Sequence, residues 1–125
     1  MLRAWAYWIS TGIVVALSFF AGYAYIAGNT QTVAGFTHVG YPQQLRILLG
    51  IAKPLGALAL IVPGLPRLKE WAYAGFTFAW IAAFVAHHLA KDGPEQFAPL
   101  VLLALLAISY ATRPAGRTWQ RSLAP

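Results

Sequence analysis

The chain has 125 residues, 59% of them hydrophobic and 10% charged, and its net charge of +6 sets nine Lys and Arg against three acids. So few charges cannot solvate a water-soluble domain of this size, and the basic residues are scattered at the ends of apolar segments, without the continuous basic face that nucleic acid binding needs. Cysteine is absent, which excludes disulfides, thiolate metal sites and thiol redox relays, so a redox role has to rest on a bound molecule.

Several apolar stretches approach the roughly 20 residues that cross a hydrocarbon core of about 30 Å. The expected fold is therefore all-α: an integral membrane four-helix bundle in a single domain, embedded in the lipid bilayer, with a short interfacial helix between the first and second spans. The first span covers residues 4–27, with Trp5, Tyr7 and Trp8 at one end and Tyr23 and Tyr25 at the other, as interfacial aromatic belts require. At 100° per residue Thr11, Ser18, Gly22 and Tyr25 share its polar, small-residue face, which should look into the bundle. Residues 30–41 are too short and too polar to span. Within them 32–39 form the expected interfacial helix, stopped by Gly40, which puts Phe36 and His38 near the mouth of the bundle and leaves Pro42 to open the next helix.

The second span, 42–62, carries two cations. Arg46, Leu49, Gly50, Lys53, Gly56, Ala57 and Leu60 lie on one face, and the small residues there favour close contact with a neighbouring helix. Pro54 leaves the carbonyl of Gly50 without its usual donor, so the middle of this helix is polar and irregular. After the turn Pro63-Gly64-Leu65-Pro66, the third span covers 67–90. Arg67, Lys69 and Glu70 read as a solvated helix start, and Tyr73, Thr77, Trp80, Phe84 and His87 form a mostly aromatic face ending in imidazole. Asp92 or Gly93 caps and Pro94 starts the fourth span, 96–112, with Ser109 and Tyr110 near its end. A basic tail, 113–125, brings Arg113, Arg117 and Arg121 towards anionic lipid. The positive-inside rule then puts both termini in the cytoplasm, with His38, His87, Asp92 and Glu95 on the outer side.

An ammonium at the depth of Lys53 costs about 2.5–3.5 kcal/mol on insertion scales, so the residue marks a candidate site. It has three possible compensations: it is neutral, it reaches out to Asp92 or Glu95, or it meets an anionic or carbonyl-bearing ligand. The expected ligand-binding set is Lys53, His87, Trp80, Tyr73, Arg46, Tyr25 and Ser18. No metal site is expected; His87 and His88 are adjacent and point about 100° apart on a helix.

Gly40-Tyr-Pro42, Leu49-Gly-Ile-Ala-Lys-Pro-Leu-Gly56, the run from Pro66 to Phe76, His87-His88, Ser109-Tyr110 and Arg113-Pro114 resemble the DoxX-like family. The resemblance covers the chain from Gly40 onward and implies a four-helix protein of the bacterial inner membrane. Relatives include subunits linked to thiosulfate:quinone oxidoreduction, partners in oxidative-stress complexes and proteins resembling receptor-assembly chaperones. The cysteines of some redox-associated relatives are missing here. The leading expectation is a protein that binds a lipophilic small molecule such as a quinone between its helices. It would serve as a membrane subunit linked to redox chemistry, with a homo-oligomer or a soluble redox partner in view. The alternatives are a non-catalytic assembly protein and an enzyme that treats a lipophilic substrate by acid-base chemistry.

Overall fold

The computed structural model describes residues 1–114, and every regular element among them is helical. Helix α1 (Leu2–Ala27) is followed by the short α2 (Thr30–His38), then α3 (Gln43–Ile61), α4 (Pro66–Leu89), a 3-10 turn (Gly93–Phe97) and α5 (Ala98–Ala111). Of the expected basic tail, Arg113 is described, whereas Arg117 and Arg121 lie outside the described residues.

Helices α1, α3 and α4, and α5 together with its 3-10 turn, are long and apolar enough to cross a membrane. At most 28% of the residues in each apolar window are buried inside the protein. The bulky groups that remain outside, among them Phe20, Trp71, Phe78 and Val101, form a surface suited to hydrocarbon.

Local chemistry sets the boundaries. Gly28 ends α1 in the left-handed conformation at φ 64°, and the side chain of Asn29 accepts from the Thr32 amide at 2.8 Å. That cap starts α2 two residues earlier than expected. Gly40, at φ 82°, turns the chain after α2, and Pro42 is the extended residue before α3, not its first helical one. Pro66 does occupy the first turn of α4. The fourth span opens as a 3-10 turn instead of an α-helix, with Pro94 in its first turn and Pro99 in the first turn of α5.

The four long helices form an antiparallel ring in the order α1, α3, α4, α5, each packing against two neighbours. One end of the bundle gathers Arg3, Lys69, Glu70 and Arg113; the other gathers Arg46, His38, His87 and Asp92. Helix α1 turns its expected polar face inward: Thr11, Ser18 and Gly22 are buried and Tyr25 is half-buried. The tightest crossing is between α1 and α3. A Cβ on Gly22 would collide with the Pro54 ring and come within 2.9 Å of the Gly50 carbonyl oxygen, and a Cβ on Gly50 would come within 2.8 Å of Ile26. The carbonyl freed by Pro54 is thus covered by a glycine of the neighbouring helix.

Towards the basic end, Val14, Leu60, Tyr73, Phe76, Trp80 and Leu106 make the apolar core. Its polar members satisfy one another: Ser109 Oγ lies 2.6 Å from Thr11 Oγ1 and 2.7 Å from the Tyr73 hydroxyl, tying three helices together in the interior. These residues close the centre of the bundle at this end.

Candidate functional site

A chamber of about 490 Å³ lies at the histidine end, walled by α1, α3 and α4 and roofed by α2. Its polar depth is Lys53. Nζ sits 5.0 Å from the centroid of the Tyr25 ring and 3.5 Å from its hydroxyl, a cation–π arrangement with, at best, a long hydrogen bond. Phe36 packs edge-on against Tyr25 at 5.1 Å and is tilted towards Tyr41 at 6.3 Å; Phe78 completes the aromatic lining. The small residues Ala79, Ala82, Ala83 and Ala86 on α4 leave the space that these rings enclose.

At the rim, Asp92 bridges two imidazoles. His38 Nε2 lies 2.5 Å from Oδ1 and His87 Nδ1 lies 2.6 Å from Oδ2, while the carboxylate side chain is only 9% exposed. The hydrogen bond and charge of Asp92 raise the pKa of His38 above its ordinary value, and His38, then His87, hold the Asp92 carboxyl below its own. This bridge ties α2 to the end of α4. Gln43 fixes α2 from the other side, donating 3.2 Å bonds to the Val33 carbonyl and the Thr37 hydroxyl.

A second cavity of about 580 Å³ adjoins the chamber and lies along the α3–α4 side of the bundle. Leu49, Lys53 and Ala79 line both. Below Lys53 every lining side chain of this groove is apolar, including Leu55, Leu58, Leu68, Trp71 and Phe76.

Lys53, Tyr25 and His87 meet in the chamber, and the other four residues of the expected set lie elsewhere. Arg46 turns away to cap α1: its guanidinium donates to the Tyr25 carbonyl and, through Nε, to Gln43 Oε1 at 2.7 Å. Trp80 is stacked on Phe76 at 5.0 Å within the core. Tyr73 is bound to Ser109 at the basic end. Ser18 is buried in α1 with its Oγ unpartnered among the described residues. His87 and His88 diverge as their spacing requires, His88 pairing with Gln96 at 2.8 Å, and no metal-holding cluster exists among the described residues.

Three features were not anticipated. Lys69 is not part of a solvated helix start: it is 1% exposed, and Nζ donates to the carbonyls of Ala59, at 2.7 Å, and Val62. The end of α3 presents carbonyls without intrahelical donors, and α4 begins against it, so the ammonium serves as its C-terminal cap. Glu70 likewise is half-buried, pairing with Arg113 and accepting from the Tyr110 hydroxyl at 3.0 Å. The third is the Asp92 bridge itself. A basic residue placed just after a tight turn, as Arg46 and Lys69 both are, is the sequence signal that would have found the two caps.

Four long apolar helices, three of which wall a partly polar chamber, define a multi-pass α-helical membrane protein. Residues 9–109 match the model of the DoxX-like family, and the chain belongs to that family. No curated protein and no solved structure matches it.

Proposed function

We propose that this protein binds a lipophilic, carbonyl-bearing ring compound of the quinone class in the chamber beside Lys53. The observation that carries the reading is that Lys53 has no carboxylate partner among the described residues. The chain has three acids in all. Asp92 is held by two histidines, Glu70 pairs with Arg113, and Glu95 is exposed in the 3-10 turn. A membrane-embedded amine without an acid, next to aromatic rings packed edge-on, suits a ligand that brings its own acceptor oxygen.

In this reading Lys53 donates a hydrogen bond to the ligand carbonyl, and Tyr25 backs the amine with its ring and hydroxyl. Phe36 and Phe78 offer ring faces to a flat head group. His87 exchanges protons at the rim, with Asp92 and the half-exposed His38 leading to water. The protein then serves as the membrane subunit of a redox system whose electrons come from a partner. In this reading the positive-inside rule, applied to Arg3, Arg67 and Arg113 at one end, supports a cytoplasmic side for that end in a bacterial inner membrane, with the chamber opening outward.

Purification in mild detergent, followed by extraction and mass spectrometry of bound lipids, tests the reading together with titration of a soluble benzoquinone against tryptophan fluorescence. Co-purification of a quinone and saturable quenching that weakens in Lys53→Met are expected. Absence of both, or equal affinity of the variant, refutes it.

A further inference from the structure

The groove beneath Lys53 assigns a shape to the ligand: we infer that it is an amphiphile whose apolar tail runs from Lys53 along α3 and α4 towards the basic end. The inference rests on the head-group reading above and concerns a separate part of the molecule.

Three observations carry it. First, the groove adjoins the chamber at Leu49, Lys53 and Ala79, which line both, so a head group at Lys53 sits where the two meet. Second, the polarity changes at that point. The chamber offers Gln31, Thr32, Tyr41 and His87 besides Lys53, whereas no polar side chain other than Lys53 lines the groove. A molecule lying across both is polar at one end only. Third, the groove opens to the side. Leu55, Leu58, Leu65, Leu68 and Trp71 line it and are also exposed on the outer surface of the bundle, so a tail enters from the bilayer without crossing water. Below the head group the α3 lining runs from Lys53 to Ala59, about 9 Å at about 1.5 Å per residue.

Small residues make this space. Gly56 brings α3 onto Phe76, where a Cβ would stand 3.0 Å from the ring, and Gly75 on α4 faces the groove with nothing within 4 Å of where its Cβ would be. Gly75 is helical and has no strained backbone, so a large side chain can enter there without disturbing the fold.

Hydrocarbon around the protein is as apolar as the groove, so a tail gains contact there, not escape from water, and the expected discrimination is modest. The test compares a decyl-tailed benzoquinone with its tail-less parent, titrated against the full chain in one detergent at fixed micelle concentration. The wild type binds the tailed probe about fivefold more tightly than the tail-less one. Gly75→Phe erases that preference and leaves the tail-less affinity within about twofold; Gly75→Ala, too small to fill the space, retains it. Equal affinity of the wild type for both probes, or an unchanged preference in Gly75→Phe, overturns the inference while leaving the head-group site standing. Failure of both probes to bind overturns the two together.

Discussion

Lys53 faces the ring of Tyr25, 5.0 Å from its centroid, and not a carboxylate. In the interior of a membrane protein such a contact is a weak substitute for a counter-charge, so Lys53 is tuned for something other than stability. Lys53→Met should leave the thermal midpoint unchanged or raise it, while lowering quinone affinity about tenfold or more. Thermal unfolding in detergent and ligand titration on the same preparation separate the two effects. A variant that both unfolds early and binds normally contradicts this assignment.

The α1–α3 crossing predicts the opposite pattern. Gly22 lies against Pro54 and the Gly50 carbonyl, which are backbone or rigid ring and cannot move aside. Gly22→Leu should destabilise the bundle by about 1–3 kcal/mol or more through overpacking. Gly12, on the same helix with nothing within 4 Å, is the matched control: Gly12→Ala should gain up to about 1 kcal/mol from helix propensity. Chemical denaturation of the two variants in one detergent reads the contrast.

The spans, their order and the inward face of α1 were legible in the sequence because a hydrocarbon environment leaves few alternatives to helices of this length. The partition of charges between the two ends was legible for the same reason. What the helical wheel does not reveal is which neighbour a face meets. Tyr73, Trp80 and His87 follow one another along α4, yet Tyr73 bonds Ser109 of α5, Trp80 packs in the core and only His87 reaches the chamber. Arg46 shares a face with Lys53 but is long enough to bend back to the end of α1. Asp92 was expected as a cap, and its role came from α2, whose position depends on contacts far apart in sequence.

Two lysines of this chain invite a direct comparison. Lys69 caps α3, and replacing it removes a donor from the carbonyls of Ala59 and Val62 in a buried position. Lys69→Met should cost about 1–3 kcal/mol, the usual penalty of leaving buried acceptors unmet. Quinone affinity, measured on the fraction that remains folded, should stay within about twofold, because Lys69 lines neither cavity. A stable Lys69→Met variant would remove the capping role.

The bridge from His38 to Asp92 gives α2 a dependence on pH whose sign follows from the two shifts. His38 titrates above its ordinary value of 6.5, so its contribution is complete below that value and is lost as pH rises through the raised one. Asp92 titrates below its ordinary 3.8, so its contribution is complete above that value and is lost as pH falls through the lowered one. Between those limits α2 is held most firmly over the chamber. Gly28 and Gly40, both with positive φ, flank it. Hydrogen exchange of Thr30–His38, corrected for intrinsic rates, should show protection falling between pH 6 and pH 9, while α3 stays constant. His38→Asn should be less protected at pH 6 and flat across the range; a wild-type profile equally flat would remove the bridge's role in holding the roof.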